Sequence, residues 1–172
     1  MIVYFFVLLY ITGTRGMTAK ERGCGFPNGT ETKMHWWQEG ATDVTIHDVT
    51  PVDENGKLTY PISVRHPIYA KLRLNNQHKP LTAGSTLTIK LFEYGGQRGR
   101  CVWREVPTFE TLSNMDACEK YVKCPIGMGE QEVVVTLDFT EFAPVMGILK
   151  DDWPYQMKIT LADPVCTLEL TV

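Results

Sequence analysis

The sequence lacks the short motifs by which many enzymes are identified. It contains neither a Gly-x-Ser-x-Gly elbow nor a phosphate-binding Gly-x-x-x-x-Gly-Lys loop, so neither an α/β-hydrolase nor a P-loop nucleotide enzyme is indicated. The four histidines are scattered without a His-x-x-x-His pair, and the five cysteines do not have zinc-finger spacing. We therefore expect a protein that is not an enzyme and that uses no cofactor and no metal.

An excess of positive charge is also missing. The formal net charge is -3 at pH 7, which gives no general attraction to a phosphate backbone. Nucleic acid is therefore not expected as a partner. The 172 residues show no internal repeat and have the length of one domain.

Long hydrophobic runs are absent after the first residues. Residues 2–11 are apolar, and small or polar residues follow, with Thr14 and Gly16 suited to the −3 and −1 positions of a signal-peptide cleavage site. The run is too short to cross a bilayer. We expect residues 1–16 to be a signal peptide; because the usual basic residues are missing, the alternative is a buried N-terminal strand.

Export fits two other features of the chain. In an oxidising compartment the five cysteines become candidates for disulfides. Asn28 begins an Asn-Gly-Thr sequence and is a candidate for N-glycosylation on an exposed segment. We expect the protein to be secreted or to reside in the lysosomal lumen.

What the sequence does contain is an apolar residue at every second position in several segments. Apolar residues alternate with polar ones in at least six segments, typical of strands with one buried face, and no long helix is indicated. This pattern predicts an all-β fold, an antiparallel immunoglobulin-like sandwich of two sheets. The clearest alternating sets are Ile68/Ala70/Leu72/Leu74, Leu87/Ile89/Leu91, Val133/Val135/Leu137/Phe139 and Tyr155/Met157/Ile159/Leu161.

Two segments are more apolar than surface loops usually are. They are residues 106–122 and residues 139–149. These segments would either plug the ends of the sandwich, or line the mouth of an apolar cavity or touch a membrane.

Two closely spaced cysteines stand at the end of the first of these segments. Cys118 and Cys124, with Pro125 directly after them, would close a small ring. By chain entropy, its disulfide would contribute roughly 2 kcal/mol to the free energy of unfolding, too little to be the main cross-link of the fold. The ring would instead fix the local shape of the chain: it would determine where the apolar loop ends and where a strand near Gln131 begins.

The segment DACEKYVKCPIGMGEQEVVVTLDF resembles the central motif of the ML lipid-recognition family. That family includes the Niemann-Pick type cholesterol carrier, the group-two mite allergens and the ganglioside-activator protein. The terminal WPYQMKITLADPVCTLELTV resembles the family's closing hairpin. The resemblance implies an ML-type domain over residues 34–172, preceded by an N-terminal extension over residues 17–33.

The resemblance also implies disulfides. It pairs Cys118 with Cys124. The family's last-strand cysteine normally pairs with a cysteine in the opening strand, where this chain has Glu39. Cys166 could instead pair with Cys24 or Cys101. We favour Cys24 with Cys166, which leaves Cys101 free or paired between chains.

By the same resemblance, the two sheets are splayed at one end and hold a sterol, fatty acid, phospholipid or glycolipid. The protein would be a lipid carrier or presenter, such as a sterol transporter, with a membrane surface, a receptor or a hydrolase as possible partners. The expected walls are Ile89, Leu91, Val133, Val135, Leu137 and Phe139, and the expected entrance residues are Phe109, Leu112, Tyr121, Val122, Ile126, Phe142, Val145 and Met146. Each could equally be an ordinary core residue.

A different class of protein would account for the same strands. An extracellular immunoglobulin-like module with a filled core would bind a receptor or a carbohydrate through its loops. Such domains usually join their sheets by cysteines on central strands around a buried tryptophan, a spacing that this chain lacks. The interior volume distinguishes the two hypotheses.

Overall fold

A computed structural model describes residues 4–10, 24–39, 43–77, 79–97, 100–150, 153–162 and 167–170. For residues 4–10, 39, 97 and 167–170 the description is confined to the backbone. The strands within these ranges are β1 (Tyr4–Tyr10), β2 (Gln38–Glu39), β3 (Val44–Val52), β4 (Ile68–Asn76), β5 (Thr86–Gln97), β6 (Arg100–Val106), β7 (Met115–Asp116), β8 (Gly129–Leu137), β9 (Pro154–Ala162) and β10 (Thr167–Leu170).

The strands form two antiparallel sheets, which confirms the all-β sandwich. The larger sheet has the order β2-β1-β9-β5-β6, with β10 also paired to β9 and β7 to β5. The smaller sheet has the order β3-β4-β8. Helical segments are short: Pro27–Gly29, Ala117–Tyr121, Phe139–Glu141 and the single α-helical turn α1, Ala143–Met146.

The core lies between the sheets because alternate side chains of each strand face inward. Ile89 of β5 and Met157 of β9 face the core from the larger sheet, and Leu72 of β4 faces it from the smaller one; all three are at most 3% exposed. In β3 the alternation shifts at a bulge between Ile46 and Asp48. The bulge explains why Val44, Ile46 and Val49 are all buried although their spacing is irregular.

The first strand bears on the expected signal peptide. The backbone of β1 pairs with β9 in the register Phe5 opposite Ile159 to Tyr10 opposite Pro154. Residues 4–10 therefore form a strand in the structure. Cleavage after Gly16 stays a prediction, since the cleavage site lies outside the described residues.

One predicted disulfide is wrong. Cys24 is bonded to Cys101, not to Cys166, with the Cα atoms 5.8 Å apart. Cys101 lies opposite Gly96 in the β5–β6 hairpin, and a Cβ atom at Gly96 would be 3.6 Å from the Cys24 sulfur. Cys24 thus lies against this hairpin, so Cys101 is not left over. Cys166 lies outside the described residues.

The expected ring is present. Cys118 and Cys124 are bonded, with Cα atoms 5.4 Å apart. Asn28, the candidate glycosylation site, is exposed in the turn Pro27–Gly29, while the Thr30 side chain of the same Asn-Gly-Thr sequence is fully buried. Glycosylation stays a prediction.

The outer edge of β3 is covered by a side chain. The Gln38 amide nitrogen donates to the Val44 carbonyl at 2.7 Å, and the Gln38 amide oxygen accepts from the Ile46 amide at 2.9 Å. One glutamine thereby satisfies a donor and an acceptor that a neighbouring strand would otherwise use.

Candidate functional site

An apolar cavity lies between the sheets at one end of the sandwich. This cavity end is where β3, β5 and β8 begin and where β4 and β9 end. Both sheets contribute walls, and the segment from β7 to β8 closes the side. The lining residues are Val44, Leu72, Leu74, Asn76, Leu81, Leu87, Ala117, Tyr121, Val122, Ile126, Val133, Val135, Ile159 and Leu161.

The lining has almost no polar surface. Asn76 carries a side-chain amide, but its nitrogen donates to the carbonyls of Lys79 at 3.1 Å and Gly127 at 2.9 Å. These bonds satisfy both amide hydrogens, so this group stabilises the loops at the cavity end. The remaining surface suits a hydrocarbon rather than a polar ligand.

The cavity is narrow in this conformation. About 580 Å³ lies between the lining atoms when thin gaps and the open part are included, but only about 40 Å³ can hold the centre of a water-sized sphere. The smaller volume is the relevant one for a ligand, because gaps thinner than an atom hold nothing. Pockets for small molecules usually measure roughly 300–1,000 Å³, so a lipid requires the walls to move.

The side wall is a compact unit that we call the disulfide ring, residues 118–124. Its start is fixed by Asp116, whose carboxylate accepts from the backbone amides of Cys118 at 2.9 Å and Glu119 at 3.2 Å. This side chain caps the helical turn Ala117–Tyr121. The Cys118–Cys124 disulfide then closes the chain on itself and restricts the conformations that the ring can adopt.

Few bonds join the ring to the rest of the protein. Just before the ring, the Ala117 amide donates to the Ser85 carbonyl at 2.8 Å. Within the ring, Cys118 Sγ lies 3.2 Å from the Thr82 carbonyl oxygen, and Val122 forms an isolated bridge with Val135 of β8. Just beyond the ring, Leu81 and Ile126 exchange two backbone hydrogen bonds of 2.9 Å each.

An ion pair also holds the ring to the turn Phe139–Glu141. Lys120 Nζ lies 2.9 Å from Glu141 Oε2, and both side chains are about half exposed. The hydrogen bond to Glu141 raises the pKa of Lys120 above its ordinary value, with the charge of Glu141 acting in the same direction. This contact links the two segments that the sequence marks as unusually apolar.

Tyr121 presents its ring to the cavity and its hydroxyl to Met115. The side chain is buried, and Tyr121 Oη lies 3.0 Å from Met115 Sδ. Burial raises the pKa of the Tyr121 hydroxyl above its ordinary value, and the nearby Glu141 carboxylate adds to the rise. The phenol is therefore held in its neutral form, as an apolar wall requires.

The fourteen predicted lipid-binding residues separate into three groups. Those that line the cavity are Tyr121, Val122, Ile126, Val133 and Val135. Those buried in the filled core away from the cavity are Ile89, Leu91, Leu112, Leu137, Phe139 and Val145. Phe142 and Met146 are half-buried against that core, and Phe109 is 70% exposed. The wall role expected for Ile89, Leu91, Leu137 and Phe139 therefore does not match the cavity observed.

The remaining lining residues were not predicted as site residues. Most stand in alternating strands, where the period shows only that they face inward. Leu81 and Ala117 lie outside any alternating pattern, and no sequence signal marks them.

The opposite end of the larger sheet carries charge on its inner face. Glu93 follows Leu91 by two residues on the same face of β5 and lies opposite Arg104 of β6. Arg104 Nη2 donates to Glu93 at 2.6 Å, and Lys150 Nζ donates to the other Glu93 oxygen. Lys150 also lies 4.9 Å from the centre of the Trp153 ring. We call this end the charged end.

A second, open groove lies beside the turn that follows β3. It has a volume of about 400 Å³ and is lined by side chains of mixed polarity. Among them are Asp53, His66 and Tyr69, with Pro61 and Pro67 forming rigid parts of its wall. The groove is wider than the cavity and is accessible to polar ligands.

Comparison with known proteins adds no relative: no protein-family model matches the chain, and no curated protein is significantly similar to it. Within the described ranges, no three His, Cys, Asp or Glu side chains lie together as a possible metal site. The helices in those ranges include none long and apolar enough to cross a membrane.

Proposed function

We propose that the protein is an exported, ML-type lipid-binding protein that holds one sterol or acyl chain between its sheets. It acts as a carrier or presenter and performs no covalent chemistry. The observation that carries the proposal is the apolar cavity at one end of the sandwich, whose walls come from both sheets and from the disulfide ring. The two disulfides accord with an oxidising compartment such as the lysosomal lumen or the extracellular space.

The energetics permit binding in spite of the narrow cavity. Burying a methylene contributes about 0.8 kcal/mol, so a 16-carbon chain gains on the order of 12 kcal/mol before ordering costs. Part of this binding free energy is needed to separate the walls of the cavity. Aliphatic walls select weakly among hydrocarbon ligands. The cavity therefore favours a hydrocarbon chain in general over one particular lipid.

The test is a binding measurement with two variants of neighbouring residues. Val133 of β8 lines the cavity, whereas Val134 lies on the outer face and is 46% exposed. We expect native protein to bind cis-parinaric acid, a fluorescent fatty acid, at one site per chain. Val133→Phe should weaken binding about tenfold or more by filling the space of two or more methylenes, and Val134→Phe should not.

The two variants carry the same substitution, so general effects of an added ring are controlled. Overpacking at Val133 costs about 1–3 kcal/mol, and urea unfolding shows whether the variant is folded. Absence of a one-to-one complex in the native protein, with sterol as well as fatty acid, would contradict the proposal.

A second function is favoured by the groove. Its volume of about 400 Å³ exceeds the 40 Å³ of the cavity, as expected for an interaction module with a filled core and a polar binding surface. Binding of an oligosaccharide or a protein receptor that Tyr69→Ala abolishes, together with no lipid binding, would support this alternative.

A further inference from the structure

The narrow cavity raises the question of which wall moves when a lipid binds. This inference rests on the proposed function, because a cavity of about 40 Å³ admits an acyl chain only after a wall is displaced. The walls differ in how firmly they are joined to their neighbours.

The two sheets are joined by long ladders. Nine residue pairs connect β4 with β8, from Ile68 opposite Leu137 to Asn76 opposite Gly129. Eight pairs connect β5 with β9, from Thr86 opposite Ala162 to Glu93 opposite Tyr155. Moving a strand out of either ladder breaks many hydrogen bonds at once, so these walls are rigid.

The disulfide ring has no such ladder to either sheet. Its bridge to β8 is the single pair Val122–Val135. On the same side lies the ion pair between Lys120 and Glu141. Because the disulfide and the Asp116 cap preserve its internal shape, the ring can move as one body without unfolding.

We propose that the disulfide ring is the movable wall of the cavity, and that the Lys120–Glu141 ion pair is the latch that holds it against β8. The chain remains attached at both ends of the ring: Met115 and Asp116 pair with β5 before it, and Ile126 exchanges two backbone hydrogen bonds with Leu81 after it. Swinging about these two attachments separates Val122 from Val135 and opens the cavity between the edges of the two sheets.

The latch has the properties of a weak and reversible contact. Both side chains are about half exposed, and exposed ion pairs contribute at most about 1 kcal/mol and are screened by salt. Lipid uptake should therefore become faster as the salt concentration rises.

The first experiment removes the latch. Lys120→Gln should accelerate cis-parinaric acid uptake by up to about fivefold, the factor that corresponds to the upper value for an exposed ion pair. The matched control is Lys71→Gln, which removes a pair of the same length, 2.9 Å to Glu132, on the outer face of the smaller sheet. The control should take up the lipid at the native rate.

The second experiment closes the latch covalently. A carbodiimide condenses the Lys120 amine with the Glu141 carboxylate into an amide, with loss of water, because the two groups are in contact. Treated native protein and treated Lys71→Gln should lose uptake, whereas treated Lys120→Gln should retain it. Peptide mass spectrometry identifies the cross-linked pair.

The outcomes separate this inference from the proposed function. If native protein binds the lipid, but Lys120→Gln does not change the rate and the Lys120–Glu141 cross-link does not block uptake, the ring is not the movable wall and lipid binding stands. If no variant binds the lipid, the proposed function is wrong and this inference is overturned with it.

Discussion

The two ends of the sandwich are built from the same strands but have different interiors. At the charged end, the inner face carries Glu93, Arg104 and the large side chains of Trp153 and Tyr155, both of which are buried. A Cβ atom at Gly95 would lie 3.1 Å from Trp153 Cζ2, which shows how closely that end is packed. At the cavity end, branched aliphatic side chains meet across a gap.

The difference shows that side-chain size and charge, not the backbone, decide which end contains a cavity. Large aromatic rings fill the space between sheets about 10 Å apart, whereas leucine and valine fill it only when they interdigitate. Each end also has one disulfide. Cys24–Cys101 closes a long loop at the charged end, and Cys118–Cys124 closes a short one at the cavity end.

The largest expected difference is between the two disulfides. Replacing Cys24 and Cys101 by serine removes a cross-link over 77 residues and should lower the free energy of unfolding by about 4 kcal/mol. Replacing Cys118 and Cys124, which are six residues apart, should lower it by roughly 2 kcal/mol but impair lipid uptake more strongly. Urea unfolding and cis-parinaric acid fluorescence measure the two effects. Equal losses of stability and uptake in both variants would contradict the assigned roles.

A smaller difference is expected between two leucines. Leu91 lies in the filled core and Leu74 lines the cavity, and both are at most 4% exposed. Leu91→Ala should lower the free energy of unfolding by about 3–4 kcal/mol, because it leaves a new void. Leu74→Ala should lower it by about 2 kcal/mol, because the surroundings of Leu74 are already loosely packed. Urea midpoints measure both. Equal costs would mean that the two ends are packed alike.

The smallest effect concerns pH. Burial raises the pKa of Tyr121 in the folded protein. The contribution of Tyr121 to stability is therefore fully present below the pKa of the unfolded state, about 10. It is lost as the pH rises through the higher pKa of the folded state. Lys120, whose pKa is also raised, changes in the same direction. Urea midpoints between pH 8 and pH 11 should fall less steeply in Tyr121→Phe than in native protein. Identical slopes would contradict a buried neutral phenol.

Some of these features could be predicted from the sequence because they depend on neighbouring residues. The ring needs only Cys118 and Cys124, and the inner face of β5 follows from the alternation of Leu87, Ile89 and Leu91. The sequence does not distinguish these three residues from one another. Leu87 lines the cavity and the other two do not, because the gap depends on side chains from the opposite sheet.

Other features depend on distances that no local pattern contains. The partner of Cys24 is set by its position against the β5–β6 hairpin, where Cys101 lies 77 residues away in sequence. The family resemblance pointed to Cys166 instead. The sequence pattern did not predict the charged end. Glu93 occupies the next inward-facing position of β5 after Leu91, where alternation predicts an apolar residue.

The Gln38 amide on the edge of β3 has a consequence for behaviour at high concentration. An exposed strand edge is a template on which another molecule can add a strand and begin to aggregate. Here a side chain occupies the bonding positions at Val44 and Ile46, and the bulge that follows disturbs the regular spacing that a foreign strand would need. At this part of the edge, the glutamine and the bulge therefore oppose the addition of a foreign strand.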